Sequence, residues 1–190
     1  MKRFFDISAS LFGLVVSAPI FLILIPIIRF NSEGAGIFRQ ERVGRFQKSF
    51  TCYKLRTMAT GTVQAGTHEV SESSVTSVGT FLRATKLDEL PQLWNVLRGD
   101  MAFVGPRPCL PVQRELVEER ASRGVYEIAP GITGLAQIAG IDMSDPVKLA
   151  KKDAEYVQIR SFGLDLKIIF QTLTGSGQGD KVNSAVREDS

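Results

Sequence analysis

Residues 7–28 read ISASLFGLVVSAPIFLILIPII, a run without one charged side chain, and whatever this chain folds into must find somewhere to put it. As a straight α-helix the run extends roughly 33 Å, enough to cross the hydrocarbon core of a bilayer. Pro19 complicates that picture, because in mid-helix it removes one backbone hydrogen bond and its ring crowds the preceding turn. Ser17 offers a hydroxyl to the backbone groups that Pro19 frees, so Ser17 and Pro19 together mark a break that lipid can tolerate. Charge supplies a second constraint. Lys2 and Arg3 precede the run, while Arg29, Arg39, Arg42, Arg45 and Lys48 follow it. Basic flanks stay cytoplasmic, and a single crossing cannot keep both of them there. A re-entrant helix-break-helix over residues 1–30, entering and leaving through one leaflet, satisfies both constraints; a plain transmembrane anchor is the alternative. A cleaved signal peptide fits poorly, since Ser17-Ala18-Pro19 is a weak cleavage site and the apolar run continues past it. A buried core helix fits no better, because 190 residues with 44% hydrophobic content could hardly cover it on every side.

Beyond the run, IFRQERVG and SFTCYKLRTM read as two short strands around a turn at Gly44. Period-two alternation puts Lys54 and Arg56 on the face that carries Phe50 and Cys52, where they present two cations to a ligand or guard a solvated edge. Residues 60–77 read as a polar surface loop. VGTFLRATKLDELPQLWNVLRGD has helical periodicity, with Leu87, Leu90, Trp94 and Leu97 on one stripe and Gly99 as the stop. Three further helices are expected: PVQRELVEERAS, then DPVKLAKKDAEYVQI capped by Asp145 with Pro146 in its first turn, then SFGLDLKIIFQTL. The last is apolar on more than one face, as suits deep packing or a bilayer interface. The predicted class is α+β: a membrane helix hairpin over 1–30, a small helix-rich catalytic domain with a short β-hairpin over 31–173, and a disordered polar tail over 174–190.

The reactive groups available are few. His68, the one histidine, lies in the polar loop and is read as solvated, and Cys52 and Cys109 are read as buried thiols, too few for a disulfide framework or metal cluster. A formal charge of +3 hints weakly at anionic partners. Carboxylates and cations must therefore do any chemistry. Asp88 and Glu89 are adjacent, expected in the first turn of a helix with Arg83 and Lys86 nearby, where both the helix terminus and the cations favour ionised carboxylates. That state suits a nucleophile or a metal ligand; Thr85 and Asp88 also have the spacing of a helix cap. In VGPRP two prolines fix the backbone around Arg107, which suits phosphate recognition or simply an exposed turn. PGITGLAQ is a weak candidate for an anion-binding loop. Asp153 and Tyr156 share a helix face, where solvated polarity is the plain alternative.

Taken in order, these segments resemble the monotopic phosphoglycosyl transferases, bacterial enzymes that begin glycoconjugate assembly on undecaprenyl phosphate. The resemblance covers Lys2 to about Leu173 and rests on the Ser17-Ala18-Pro19 segment, FRQERVGRFQKSFTCYKLRTM, LDELPQLWNVLRGDMAFVGPRP, PGITGLAQ and the stretch from Asp153 to Tyr156 before SFGLDLKI. It implies the minimal form, without the longer amino-terminal membrane bundle and accessory domain that some relatives carry, resting on the inner face of the cytoplasmic membrane through amphipathic helices. It further implies that Asp88 attacks the β-phosphate of a UDP-sugar and expels UMP, and that polyprenyl phosphate then takes the phosphosugar from the aspartyl intermediate. Glu89 would help hold Mg²⁺ or tune Asp88. Lys54, Arg83 and Arg107 match cationic positions near the phosphates, and Asp153 an acidic residue of the site. The implied partners are the UDP-sugar, the polyprenyl phosphate, membrane lipid and downstream glycosyltransferases, with no nucleic acid. The segment IAGIDMSDPVKLAKKDAEY is similar to those of transferases for N-acetylated amino sugars.

Overall fold

The computed structural model describes residues 1–62 and 74–175. His68, most of the predicted 60–77 loop and nearly all of the predicted tail lie outside the described residues.

The apolar run forms helix α1, Lys2–Asn31, assigned as helix without interruption and containing Pro19 and Pro26. The expected break is thus no gap in the helix. Ser17 donates its hydroxyl to Leu14 O, the carbonyl three residues back, rather than to a group freed by Pro19. The helix is inside out by the standard of a soluble protein. Asp6, Ser10 and Ser17 are buried, while Phe4, Leu11, Phe12, Val15, Val16, Leu22, Ile23 and Phe30 are exposed. The small residues let the neighbouring helix approach closely: a Cβ on Gly13 would come within 2.9 Å of Leu93. Water would not tolerate the outward face on this scale, so it is the membrane-associated face.

Both ends of α1 are tied to the same globular body. At its start Lys2 pairs with Asp165, and Arg3 donates to Val96 O at 2.6 Å and Leu97 O at 2.8 Å. At its end Ile28 packs with Leu55 and Leu82 in one core cluster. Arg56, just past the second strand, donates to Ile28 O at 3.2 Å and to Glu33 O at 2.7 Å.

Strands β1, Ile37–Val43, and β2, Ser49–Leu55, form the expected antiparallel hairpin, with Phe38 opposite Lys54, Gln40 opposite Cys52 and Arg42 opposite Phe50. The long periodic stretch after them is not one helix. It divides into α2, Ser77–Ala84, a 3₁₀ turn at Leu87–Glu89, and α3, Gln92–Arg98. Lys86 makes the break, in the left-handed conformation at φ 56° that side chains other than glycine adopt at a cost of about 1–2 kcal/mol. The division also moves the apolar face, since Leu93 and Val96 are buried and Trp94 is half exposed. Gly99 ends α3 at φ 94° as expected.

Two short strands unforeseen from the sequence, β3 at Ala102–Val104 and β4 at Gly131–Thr133, pair in parallel. Between them lies α4, Arg114–Ser122, and after them α5, Leu135–Ile138, α6, Pro146–Ile159, and α7, Phe162–Leu173. Asp145 caps α6 by accepting from Lys148 N at 3.0 Å, and Ser161 caps α7 by accepting from Leu164 N at 3.2 Å. Helix α7 buries Asp165 and Ile168 and exposes Phe162, Leu166, Phe170 and Leu173, a second outward apolar face. Phe162 meets Phe5 of α1 edge-on at 5.5 Å between ring centroids, which joins the two faces. The described residues are α+β and helix-rich.

Candidate active site

A cavity of about 680 Å³ opens among the β1–β2 hairpin, the turn at 87–89, the loop after β3 and the end of α7. Lys54, Arg56, Arg83, Asp88, Glu89 and Arg107 all line it, so six of the expected residues converge from four separate segments. Arg42 and Lys86 line it as well. Lys86 is the cation expected beside the carboxylate pair, whereas Arg42 is not foreseen as a site residue, although alternation along β1 does put it on the face of Phe38, across from the Phe50 and Lys54 face of β2. The lining is otherwise rich in apolar side chains, among them Leu90, Leu93, Phe103, Ile132, Ile169 and Leu173.

Three local features build the carboxylate pair. The turn at Lys86 swings Leu87–Glu89 off the axis of α2 and into the cavity wall. Lys54 projects from β2 and donates to Glu89 Oε1 at 3.0 Å. Arg107 donates to the same oxygen from Nη2, also at 3.0 Å. Burial would raise the Glu89 pKa, but the charges and hydrogen bonds of Lys54 and Arg107 outweigh it and hold the group well below the usual carboxylate range. Glu89 is ionised and fixed.

Asp88 differs. It is buried, and the described residues form no hydrogen bond or salt bridge to its carboxylate. Burial pushes its pKa up, Lys54 pulls it down, Glu89 pushes it up again, and Arg107 and Arg83 pull it down; burial prevails. The sequence predicts a carboxylate eased into its ionised form by a helix terminus and nearby cations. The 3₁₀ turn lies before α3, with Leu90 and Pro91 between, so that help is reduced. The capping alternative fails too, because Thr85 donates its hydroxyl back to Phe81 O at 2.8 Å.

Each of the other expected residues has its own partners. Arg83 lines the cavity and donates from Nε to Thr57 Oγ1 at 3.0 Å. Arg56 lines the cavity too, and its terminal nitrogens donate to Ile28 O of α1 and to Ser32 O and Glu33 O just past it, so it clamps the end of that helix. Asp153 does not line the cavity; it is buried beneath α4 and accepts at Oδ2 from Arg120 Nε at 2.9 Å and Nη2 at 2.7 Å. Tyr156, on the same face, is buried and donates to Asp165. Within PGITGLAQ, Ile132, Thr133 and Gln137 line the cavity, while the glycines meet backbone. A Cβ on Gly131 would stand 2.1 Å from Gly105 N, and one on Gly134 2.3 Å from Gly105 O, so both allow backbone to pack on backbone beneath the Arg107 loop.

Two adjacent carboxylates in a cavity whose other charged lining residues are all cations suit a ligand that brings negative charge of its own. They also suit magnesium, which commonly takes one or two carboxylates and completes its shell with phosphate oxygens and water. Among the described residues no group of three or more His, Cys, Asp or Glu side chains could hold a metal alone. Phosphate oxygens would have to supply the remainder.

The family model described as bacterial sugar transferase matches residues 1–178. Among curated proteins, the "Uncharacterized sugar transferase EpsL" of Bacillus subtilis is 40% identical over 173 residues, 91% of this chain and 85% of that protein. The "UDP-glucose:undecaprenyl-phosphate glucose-1-phosphate transferase" of Caulobacter vibrioides is 38% identical over 186 residues, 90% of this chain and 68% of that protein. The "UDP-N-acetylgalactosamine-undecaprenyl-phosphate N-acetylgalactosaminephosphotransferase" of Aeromonas hydrophila is 34% identical over 192 residues, which cover 93% of this chain but 44% of that protein.

Proposed function

The chain belongs to the bacterial sugar transferase family, and from that premise we propose that it moves a phosphosugar from a UDP-sugar to polyprenyl phosphate and releases UMP. The observation that carries this reading is the contrast within the carboxylate pair: Glu89 is held by Lys54 and Arg107, while its neighbour Asp88 lines the same cavity with a carboxylate to which the described residues make no hydrogen bond.

In the first step an Asp88 oxygen attacks the β-phosphorus of the donor. The bond from that phosphorus to the bridging oxygen breaks, UMP leaves with the electron pair, and an aspartyl phosphosugar remains. In the second step a phosphate oxygen of the polyprenyl phosphate attacks the same phosphorus, Asp88 departs as carboxylate, and a lipid diphosphosugar forms. The acyl phosphate keeps the transfer potential of the donor, so a weakly nucleophilic acceptor suffices. Because burial withholds water from Asp88, its ionised form gives up little hydration on attack. Lys54, Arg83 and Arg107 line the cavity where the diphosphate charge must be met, and a fixed cation there costs no reorganisation during reaction. Asp88 and Glu89 would hold Mg²⁺, which on binding neutralises charge on the phosphate oxygens.

The apolar side chains of the lining, Ile169 and Leu173 of α7 among them, are suited to the lipid end of the acceptor. With both ends of α1 fastened to one body, the helix is read as entering and leaving one leaflet, with the catalytic domain on the cytoplasmic face of the bacterial inner membrane. Nucleotide sugars are made on that side. The lipid product then passes to glycosyltransferases that extend it. Relatives are named both for glucose and for N-acetylgalactosamine, so the sugar is a question for a donor panel.

Incubating the purified protein with sugar-labelled UDP-sugar, Mg²⁺ and polyprenyl phosphate tests the reaction. Label must enter an organic-soluble lipid with equimolar UMP. Label recovered only as free sugar phosphate would make the protein a hydrolase and end the proposal.

A further inference from the structure

We propose that Arg120, with Asp153 as its counter-ion, is a positioning residue for Arg107; this rests on the reading of Arg107 as part of the phosphosugar-transfer site. Arg120 lies on α4 and is 1% exposed, the largest fully buried side chain described. Two of its nitrogens, Nε and Nη2, are spent on Asp153 Oδ2, and the third, Nη1, donates to the backbone carbonyl of Arg107 at 2.9 Å.

The loop around Arg107 makes that bond matter. Pro106 and Pro108 have no N–H to give, so the segment is held largely by its carbonyls. Pro106 O accepts from Gly131 N at 2.9 Å, Pro108 O from Arg42 Nη1 at 2.9 Å, and Cys109 O from Val43 N at 3.0 Å. Arg120 holds the Arg107 carbonyl, at the loop residue whose side chain reaches Glu89. A buried ion pair is a costly way to fill a core, and apolar side chains of similar volume often serve stability equally well. Apolar side chains cannot donate to a carbonyl. Asp153 fixes the guanidinium so that its third nitrogen points at the loop, and it influences the cavity through two bonds without lining it. In sequence Arg120 is one charge among several in RELVEERAS, with nothing to single it out.

The test is a set of turnover measurements, UDP-sugar plus polyprenyl phosphate to lipid product, on the full chain in nanodiscs. The double variant R120M/D153L removes the pair while keeping an apolar core, and its thermal midpoint verifies folding. R120K is the companion variant, which keeps a charge for Asp153 but not the three-nitrogen fork. Each is expected to fold and to lose about 10–100-fold in kcat, the scale of a small misplacement of a catalytic group. R107K supplies the decisive comparison. If Arg120 acts through Arg107, adding R120K to R107K costs little beyond R107K alone, whereas independent losses multiply. Full activity in both R120K and R120M/D153L, or multiplicative losses with R107K, overturns the positioning role. R107K at full rate instead overturns the site reading, and the positioning role with it.

Discussion

Lys54 Nζ donates to Glu89 Oε1 at 3.0 Å, joining strand β2 to a turn 35 residues further along the chain. Through that bond the hairpin fixes one carboxylate of an adjacent pair, and Arg107 donates to the same oxygen at 3.0 Å. Asp88 is carried into place by a neighbour that cannot move, yet its own carboxylate is not consumed. The two acids therefore answer differently to change.

Neutralising each acid separates them. Asp88→Asn removes a carboxylate that burial disfavours, so turnover is lost while thermal stability is retained or increased. Glu89→Gln leaves Lys54 and Arg107 facing a neutral amide and lowers both activity and stability, each kcal/mol lost reading as about 2–4 °C in the unfolding midpoint at this chain length. Thermal unfolding of both variants in nanodiscs checks the opposite signs.

The pH dependence follows from the same contrast. Glu89, held low in the fold, contributes stability at neutral pH that fades as pH falls below its ordinary 4.5 toward its lower folded pKa. Asp88, held high, works the other way: its fold favours the protonated form, and that contribution is lost as pH rises through its raised pKa. Attack needs the ionised form. Release of UMP from donor alone should therefore decline on the acid side at a pH above 3.8, the ordinary value for Asp88, and Lys54→Met should move that decline upward. A decline at or below 3.8, or one that Lys54→Met leaves unmoved, would contradict the electrostatics described.

Arg56 is expected to matter for stability rather than for the donor. Arg56→Ala strips the end of α1 of hydrogen bonds to Ile28 O, Ser32 O and Glu33 O, each worth about 1.5–3 kcal/mol when a charged group takes part. The midpoint should fall and the donor KM should stay within about twofold. A rise in KM matching that of Arg107→Lys would restore Arg56 to the phosphate site.

Topology has its own readout. A cysteine tag before Met1 and Glu33→Cys should both resist a membrane-impermeant maleimide in intact cells and both react after permeabilisation, since Cys52 and Cys109 are buried and react slowly. Labelling of either one from outside would mean that α1 crosses the membrane.

Much of the frame was legible because it follows short-range rules. Alternation gave the hairpin, Asp145 gave the start of α6, and Gly99 gave the end of α3. The split at Lys86 was not legible, since a lysine in the left-handed region carries no sequence mark and the apolar period runs across it. Strands β3 and β4 are three residues each, too short to display a period. Period two placed Arg56 beside Lys54, but β2 ends at Leu55, and the chain turns Arg56 toward α1. Asp153 and Arg120 meet across 33 residues, a pairing that only the packing of α4 on α6 creates.

The central claim is that Asp88 itself becomes the carrier of the phosphosugar. Intact-protein mass spectrometry after brief exposure to UDP-sugar and Mg²⁺, with no polyprenyl phosphate present, tests it most directly. The native chain should gain the mass of one phosphosugar on the peptide containing Asp88, lose it when polyprenyl phosphate is added, and show no gain as Asp88→Asn. Full turnover without any adduct, or an adduct on another residue, would contradict the account.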